Sequence, residues 1–336
     1  MTGIAVMGGA GYIGSHVVKY LQKQGLAPLI YDNLSGGHAP LNPNSPFIEG
    51  DIGDSEKLSY VFKKYAISAV MNFAGLIAVG ESVSSPDRYY QNNVLKTLSL
   101  LDSVISAGIQ NFIFSSTCAI YGTPQFLPLT EAHPFLPLSP YGRTKLAIEM
   151  ALADYAHAFQ NFNYVSLRYF NAAGADPEGE LGECHEPETH LIPIIFEAIS
   201  GKREQVFIHG TDYDTHDGTC IRDYIHVWDL AQAHLRALKF LREKKTSACF
   251  NLGNGHGFSV KEVIASIEKV TGREVPLVEG PPREGDPPVL VGSSEKAMQI
   301  LGWKPQFSRL EDILSTAWLW HKKNNGQSTL PLKEKG

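Results

Sequence analysis

Short apolar runs alternate with stretches of helical periodicity through the first half of the chain. Five of these runs have the length and composition of buried strands. They lie at residues 4–7, 27–31, 69–74, 111–116 and 164–169. Helical periodicity is clearest at residues 94–107 and 141–159. Strands that alternate with helices predict a parallel sheet with right-handed crossovers, which is a doubly wound α/β fold of the Rossmann type.

The pattern changes after Asn171, where a segment rich in Gly, Glu and Pro begins. Further along, periodicity predicts helices at 191–200 and 227–240 and a short strand at 206–209. The prolines within 281–288 predict an ordered loop, because they interrupt the hydrogen-bond pattern of both helices and strands.

The chain has 336 residues, which is enough for two modest domains. We expect residues 1–171 to form a dinucleotide-binding domain. Residues 172–336 are expected to form mainly a smaller, mixed α/β domain that binds the substrate. The predicted helix near 227–240 can pack back on the first domain, so the boundary is not sharp.

A glycine-rich turn follows the first predicted strand. Gly9, Gly11 and Gly14 fit the G-x-G-x-x-G spacing, Gly8 begins a longer variant of it, and an amphipathic helix follows. Glycines permit a tight turn and let the backbone approach a pyrophosphate, which binds at the helix N-terminus. The second strand ends at Asp32, at the distance expected of an acid that binds the ribose hydroxyls. A carboxylate there would repel a 2′-phosphate, which predicts NAD rather than NADP.

Tyr141 and Lys145 lie four residues apart in the predicted helix 141–159, so they share one helix face. An ammonium beside a phenol favours the phenolate and lowers the pKa of the tyrosine from its usual value of about 10. Such a tyrosine can accept a proton from a hydroxyl near neutral pH while a nicotinamide accepts the hydride. The pair alone is weak evidence, and it gains weight from the glycine turn.

Composition excludes several other classes of protein. The net charge is −6 without a basic stripe, and no apolar run reaches the length of a membrane span, so we expect neither nucleic-acid binding nor membrane insertion. The first strand begins at residue 4, which leaves no room for a signal peptide, and we expect a cytoplasmic enzyme. The four cysteines lack C-x-x-C spacing and are expected to be reduced thiols. His185 and His190 bracket two glutamates in a stretch typical of a polar loop, where we expect no metal site.

A set of short motifs occurs in a fixed order along nearly the whole chain. The most specific motifs lie at residues 8–16, 32–34, 50–52, 73–75, 78–82, 115–117, 141–145, 168–171, 217–227 and 283–286. Any one of them can arise by chance, whereas the ordered set is very specific. By this set the chain resembles the extended short-chain dehydrogenase/reductase family and, within it, the UDP-hexose 4-epimerases.

The resemblance implies a role for each residue of a site. Tyr141 would be the base that removes the proton of the sugar 4-hydroxyl. Lys145 would lower the pKa of that base and bind the nicotinamide ribose. Thr117 would supply the hydroxyl that shuttles the proton. The residues implied for NAD are Gly8, Gly11, Tyr12, Ile13, Gly14, Asp32, Asn33, Asp51, Ile52, Phe73, Ala74, Gly75, Asn92, Ser115, Tyr141, Lys145 and Tyr169. The residues implied for the UDP-hexose are Thr117, Asn171, His190, Leu191, Phe207, Arg222, Arg283, Asp286 and Leu290.

The resemblance also implies an activity, the interconversion of UDP-glucose and UDP-galactose. Hydride leaves sugar C4, the 4-keto sugar turns its other face to the cofactor, and the same hydride returns. NAD is therefore expected to stay tightly bound between turnovers. A homodimer is expected through the predicted helices 94–107 and 141–159, although their apolar residues can equally well face the sheet.

Three positions depart from the common pattern of the family. Ile77 stands where many members have a lysine, which removes one cationic contact to the cofactor pyrophosphate. His190 stands where an asparagine often contacts the substrate diphosphate, and a histidine can still donate a hydrogen bond. Leu290 stands where a bulky tyrosine closes the sugar pocket in some members. We hypothesise that this chain also accepts the N-acetylated sugars UDP-GlcNAc and UDP-GalNAc.

Other functions stay open. A 4,6-dehydratase would have Asp-Glu directly after the threonine, whereas Cys118 and Ala119 follow Thr117. A UDP-glucuronate 4-epimerase would need a cation for the sugar carboxylate, which the sequence does not locate. A reductase that releases NADH differs from an epimerase in cofactor retention. A non-catalytic dinucleotide sensor would often lack the Tyr141–Lys145 pair.

Overall fold

The computed structural model describes residues 3–36, 44–283 and 286–326, with side chains through residue 324. The strands are β1 (Gly3–Met7), β2 (Pro28–Asp32), β3 (Phe47–Glu49), β4 (Ile67–Asn72), β5 (Asn111–Thr117), β6 (Asn163–Tyr169), β7 (Asn171–Ala173), β8 (Val206–His209), β9 (Ile221–His226), β10 (Ala248–Leu252), β11 (Gly257–Ser259), β12 (Leu277–Gly280) and β13 (Val289–Leu290). The helices are α1 (Tyr12–Lys23), α2 (Ser55–Lys64), α3 (Val79–Ser84), α4 (Pro86–Tyr89), α5 (Lys96–Ser106), α6 (Pro140–Ala158), α7 (Leu191–Ile199), α8 (Val227–Lys244), α9 (Val260–Thr271), α10 (Glu295–Leu301) and α11 (Leu310–Gly326). Within the described residues, none of these helices is both long and apolar enough to span a membrane.

Seven parallel strands of the described chain form one sheet in the order β3-β2-β1-β4-β5-β6-β10. The order reverses at β1, which pairs with β4 from Ile4 opposite Ala69 to Met7 opposite Asn72. This topology confirms the predicted doubly wound α/β class, and the five predicted strands all lie in the sheet. Ligands of such sheets bind beyond the carboxyl ends of the strands, near the reversal. The residues that follow β1, β2, β4, β5 and β6 therefore border the expected site.

Apolar side chains cover both faces of this sheet. On one face, Val6 and Val165 pack with apolar residues of α1, α8 and α10. On the other face, Val70 and Phe112 pack with α2, α5 and α6. A parallel strand that is buried on both faces has no solvent-facing side, which explains why the predicted strands are continuous apolar runs.

The remaining strands and helices form a smaller, mixed α/β part. Strand β9 pairs with β7, β11 and β13, and β8 pairs with β12. Helices α7, α9 and α11 enclose a core that includes Phe196, Ile267 and Trp318. Strand β13 follows the predicted proline loop, whose described residues, 281–283 and 286–288, have no regular secondary structure. Residues 284–285 of that loop lie outside the described residues.

The second half of the chain returns to the large sheet. Helix α8, which contains the predicted helix 227–240, packs with α1 on one face of the sheet. Strand β10 then pairs with β6 along its length, from Ala248 opposite Val165 to Leu252 opposite Tyr169. The division of the chain at residue 171 stays a prediction.

The predicted helix at 94–107 differs from the structure at its start. Residues Tyr90–Leu95 form a π-helical segment, and α5 begins only at Lys96. In this segment the buried Asn93 accepts the N–H of Leu76 at 2.8 Å and donates to the Leu76 carbonyl at 3.0 Å. π-Helical segments of this kind are frequent at functional sites. Helical periodicity does not encode a contact between one amide and a distant loop, so the sequence does not predict this segment.

A buried ion pair fastens α6 to β6. The Arg168 guanidinium donates to the Glu149 carboxylate from Nε at 3.0 Å and from Nη2 at 2.6 Å, and the two side chains are 4% and 6% exposed. The Ser116 hydroxyl donates to the same carboxylate, and the Tyr121 hydroxyl accepts from Arg168 Nη1 at 2.9 Å. Loss of either charge would leave the other buried without compensation.

We predict that Arg168→Met lowers the free energy of unfolding by about 3–5 kcal/mol, because Glu149 loses its cation while it stays buried. Arg203, which lies 3.2 Å from Glu197 on the surface, provides the matched control. Arg203→Met should cost at most about 1 kcal/mol. Urea denaturation of both variants, followed by tryptophan fluorescence, measures the two values. Equal losses in the two variants would contradict the prediction.

Candidate active site

The glycine turn between β1 and α1 is packed too tightly for side chains. A Cβ on Gly14 would lie 2.2 Å from the Gly8 carbonyl oxygen. A Cβ on Gly8, whose φ is +73°, would lie 2.6 Å from the Ala74 nitrogen. Gly11 is the N-cap of α1 and has no side chain to occupy the first N–H groups of the helix. Those groups are available to an anion, so the turn fits the pyrophosphate of a dinucleotide.

Asp32, at the end of β2, holds the same turn in place. Its carboxylate accepts the N–H of Ala10 at 2.9 Å. In the adjoining loop, Asn33 Nδ2 donates to Asp51 Oδ2 at 3.0 Å, and Ile52 is buried. The four residues that the sequence implies for the adenosine half of NAD are therefore neighbours at one edge of the sheet.

Thr117, Tyr141 and Lys145 meet at the carboxyl ends of the central strands. Thr117 ends β5, Tyr141 is the second residue of α6, and Lys145 lies one turn further along that helix. The Thr117 hydroxyl lies close enough to Tyr141 to lower the pKa of its phenol. The Lys145 ammonium lies 5.9 Å from the centre of the Tyr141 ring and donates to the Ser115 carbonyl at 2.8 Å. This arrangement gives a hydroxyl, a phenol and an ammonium within one shielded site.

Burial acts on the two ionisable groups of this site in opposite directions. It raises the pKa of Tyr141 to about 12, although the nearby Thr117 hydroxyl lowers it. It lowers the pKa of Lys145 to about 8, although the Glu149 carboxylate raises it. Lys145 is not among the causes of this shift, so its effect on the pKa of Tyr141 stays a prediction. Burial removes water from both groups, and desolvation disfavours the charged form of each, phenolate for Tyr141 and ammonium for Lys145.

The chain after β4 places three predicted cofactor residues beside the lysine. These residues are Phe73, Ala74 and Gly75. A Cβ on Gly75 would lie 3.8 Å from Lys145 Nζ and 3.3 Å from Asn93 Oδ1. The predicted Asn92 donates to the same Asn93 oxygen at 3.2 Å. Asn93 itself is absent from the sequence prediction, because nothing local distinguishes it from its neighbour Asn92.

His234 of α8 is a second residue that the sequence prediction misses. Its Nε2 lies 2.6 Å from the hydroxyl of Tyr169, and its ring centre lies 4.7 Å from that of Phe73. Ser115 lies close enough to Tyr169 to lower the pKa of its phenol, although burial raises that pKa more. The one sequence signal for His234 is the expectation that the helix near 227–240 packs back on the first domain.

Several residues predicted for the substrate lie on or beside β9. Arg222 of β9 forms an ion pair with Asp286 and donates from Nη1 to the Ile221 carbonyl at 2.8 Å. Leu290 of β13 is the register partner of Arg222. Burial raises the pKa of the Cys118 thiol to about 12, and the Arg222 charge lowers it. Cys118 directly follows Thr117, the last residue of β5. Arg222 on β9 therefore lies near the carboxyl end of β5.

The other predicted substrate residues lie further along the smaller sheets. Asn171 begins β7 and pairs with Tyr224 of β9. Phe207 of β8 is 49% exposed, with its ring centre 6.3 Å from that of His209. Burial and the nearby Arg283 charge both lower the pKa of His209, so Phe207 and Arg283 both lie near His209.

His190 and Leu191 lie at the start of α7, where His190 is the N-cap. The His190 imidazole contacts the Glu183 carboxylate. Burial lowers the pKa of His190, but the Glu183 carboxylate outweighs burial and the net shift is upward. His185 and Glu188 lie around the same carboxylate, so the expected polar loop is a cluster of four ionisable side chains.

The structure brings the predicted catalytic residues together with those predicted for the nicotinamide end of NAD. It gathers the adenosine residues around the second strand. Residues predicted for the UDP group are spread over α7 and the two smaller sheets. The role of each individual residue stays a prediction.

Known proteins match this chain over nearly its whole length. A family model described as the NAD dependent epimerase/dehydratase family matches residues 4–253. The UDP-glucose 4-epimerase of Halalkalibacterium halodurans is 50% identical over 327 residues, which cover 97% of this chain and 98% of that protein. The crystal structure of UDP-glucose 4-epimerase from Brucella ovis in complex with NAD matches with a TM-score of 0.93 and 49% identity, over 96% of this chain and 99% of that chain.

A third match is an epimerase whose name includes two sugars. The UDP-Glc/GlcNAc 4-epimerase from Campylobacter jejuni matches with a TM-score of 0.84 and 41% identity, over 96% of this chain and 100% of that chain. Matches of this extent involve the glycine turn, the large sheet and the smaller sheets together. The chain therefore belongs to the NAD dependent epimerase/dehydratase family.

Proposed function

We propose that this chain interconverts UDP-glucose and UDP-galactose by removing hydride from sugar C4 and returning it to the opposite face. One observation carries the proposal, which is the close group of buried Thr117, half-buried Tyr141 and buried Lys145 in a fold whose glycine turn fits a dinucleotide. The similar proteins that bear the name UDP-glucose 4-epimerase support the choice of substrate.

The proposed chemistry depends on proton transfer by Tyr141. The Tyr141 phenolate accepts the proton of the 4-hydroxyl, and Thr117, which lies beside Tyr141, binds the same oxygen and relays the proton. NAD, when bound, supplies the acceptor and later the donor of hydride for C4, together with a positive charge that favours the phenolate. Lys145 remains beside the Tyr141 ring and stabilises the phenolate once it forms. After the 4-keto sugar has turned, Tyr141 returns its proton and the other C4 epimer results.

The UDP group is the proposed anchor of the substrate. Arg222 and Arg283 supply guanidinium groups, which bind phosphate bidentately and stay charged. Arg222 is already oriented by Asp286 and by a backbone carbonyl, so it loses little freedom on binding. A firmly held UDP leaves the sugar free to turn, which epimerisation requires. We propose that Asn171, His190, Leu191, Phe207 and Asp286 complete this anchor.

We also propose that the sugar pocket admits N-acetylated UDP-hexosamines. Leu290 is partly buried and packs against Ile120, Leu129 and Phe170, close to the strand end that carries Thr117. A leucine leaves volume there that a tyrosine would fill. The name of the 41% identical protein from Campylobacter jejuni, a UDP-Glc/GlcNAc 4-epimerase, supports this breadth.

A cytoplasmic homodimer is the assembly that we propose. Leu95, just before α5, and Met150, on α6, are 58% and 62% exposed. Phe159, at the end of α6, is 44% exposed. Large apolar side chains exposed on two neighbouring helices favour burial against a second copy. The four cysteines are free thiols, which agrees with a reducing compartment.

The first test is incubation of the purified chain with UDP-galactose and no added cofactor. Formation of UDP-glucose would support both the epimerisation and the retention of NAD. Turnover that begins only when NAD is added would support the epimerisation with weak retention. Stoichiometric NADH would indicate a net oxidoreductase, and no reaction in either condition would overturn the proposal.

We predict that Tyr141→Phe loses at least about 100-fold in kcat, because a positioned acid–base group contributes roughly 10²–10⁴-fold. The NAD content of the purified variant should equal that of the wild type, since the glycine turn is intact. Tyr155→Phe is the matched control, because Tyr155 lies on the same helix and donates to the exposed Asp102. Near wild-type turnover of Tyr141→Phe would remove Tyr141 from its proposed role.

We predict that Leu290→Tyr lowers kcat/KM for UDP-GlcNAc at least about tenfold, because steric discrimination of this kind is worth roughly 10–200-fold. The value for UDP-galactose should stay near that of the wild type, since its 2-hydroxyl is smaller than an N-acetyl group. Leu277→Tyr, at a position that is 42% exposed on β12, is the matched control. Exclusion of UDP-GlcNAc by the wild type, with no change in Leu290→Tyr, would contradict the prediction.

A further inference from the structure

Four side chains of the segment before α7 converge on one point, and we call them the loop cluster: Glu183, His185, Glu188 and His190. Two imidazole nitrogens and two carboxylate oxygens of the cluster all lie within 4.8 Å of one another. His185 Nδ1 lies 3.2 Å from Glu183 Oε1 and 4.0 Å from Glu188 Oε2. His190 Nδ1 contacts Glu183 Oε1 and lies 3.9 Å from Glu188 Oε1. Four donor atoms of two types thus surround one small volume.

The charge balance of the loop cluster favours a cation. The side chains of Glu183 and Glu188 are only 8% and 4% exposed, and among the described residues their ion-pair partners are the two histidines. Glu188 Oε1 additionally accepts the backbone N–H groups of Thr189 and His190 at 2.8 and 2.9 Å. Two carboxylates buried side by side are costly unless positive charge compensates them, and the two imidazoles supply that charge only when they are protonated, whereas a divalent cation supplies it with neutral imidazoles.

A ring nitrogen of His185 gives an independent reason. His185 Nδ1 is buried and, among the described residues, makes no hydrogen bond of good geometry, although it lies near two carboxylates. A buried polar atom without a hydrogen bond calls for a ligand or a water. When this nitrogen carries no proton, its lone pair repels the carboxylate oxygens that it faces, whereas a metal ion between them would satisfy all three atoms.

Three helices hold the loop cluster in position. The Trp320 indole of α11 donates to the Glu183 carbonyl at 3.1 Å. The Tyr12 ring at the start of α1 meets the His185 ring edge-on, with centres 6.4 Å apart. His190 is the N-cap of α7. The donor atoms are therefore held by structure distant in sequence, which lowers the entropy lost when an ion binds.

We propose that Glu183, His185, Glu188 and His190 bind one divalent transition-metal ion, with Zn²⁺ as the best match. His190 would bind through Nδ1, the nitrogen that faces the two carboxylates, which leaves Nε2 for the UDP group. Four nitrogen and oxygen donors suit tetrahedral Zn²⁺, while two imidazoles disfavour Mg²⁺ and Ca²⁺, which prefer oxygen ligands. The expectation of a polar loop without a metal overlooks this site because residue spacing alone does not reveal the convergence. The bound ion would join the segment 183–190 to the start of α7, next to Leu191.

The direct test is titration of ZnCl₂ into the full, untagged chain after treatment with EDTA, followed by calorimetry without NAD or UDP-sugar. We expect one ion per chain. His185→Ala and Glu188→Gln should each weaken binding at least about tenfold, because each removes a ligand and even outer-shell losses cost roughly 10–100-fold. His216→Ala is the matched control, since His216 lies 3.4 Å from Glu262 and 3.8 Å from Asp217 on the exposed surface. It should bind Zn²⁺ as the wild type does.

Thermal denaturation provides a second readout. Zn²⁺ should raise the Tm of the wild type and of His216→Ala, but not of His185→Ala or Glu188→Gln, because a ligand stabilises only the state that binds it. If the variants fail to fold, anomalous diffraction from wild-type crystals soaked in ZnCl₂ tests the site directly. The expected result is an anomalous peak for zinc among the four ligands. A wild type that binds no Zn²⁺, or that binds it no better than the two cluster variants, would overturn the proposal. No step requires catalysis, so the failure of the proposed epimerase activity would be a separate result.

Discussion

Helix α6 carries both Tyr141 and Lys145, and the buried Glu149–Arg168 pair holds this helix on the sheet. Arg168 is the register partner of Ser116 on β5, and Ser116 donates to the same carboxylate. The pair thus joins α6, β5 and β6 at one point, one helical turn from Lys145. A buried ion pair is tolerated only with good geometry and satisfied hydrogen bonds, so it limits how far the catalytic helix can shift. The proposed proton transfer depends on that limit, because Thr117 and Tyr141 lie on different elements.

Burial is the second condition that shapes the site. It favours neutral Tyr141 and weakens the charge on Lys145, which is opposite to what the spacing of the two residues suggests by itself. Glu149 counteracts part of this effect, because its carboxylate raises the pKa of Lys145. The same residue therefore supports the helix mechanically and maintains the ammonium electrostatically.

The large sheet and the glycine turn can be predicted because their causes are local. A strand that is buried on both faces must be apolar throughout, and a turn in which Gly14 approaches Gly8 admits no side chain. The π-helical segment at Tyr90–Leu95 cannot be predicted in this way. It accompanies the bonds between Asn93 and Leu76, which are 17 residues apart, and no periodicity encodes them. The sequence does not predict the ion-pair partner of Arg222 either, because Asp286 lies 64 residues further along the chain.

The amino-acid sequence by itself determined five strands of the large sheet, the glycine turn at the first helix and the shared face of Tyr141 and Lys145. These features follow from backbone geometry and from the period of apolar positions, which act over a few residues. Only the tertiary structure decided the direction of the pKa shifts, the contact of His234 with Tyr169 and the convergence of the loop cluster. Desolvation and Coulomb interactions depend on distances through space, and folding sets those distances between residues that are far apart in the chain.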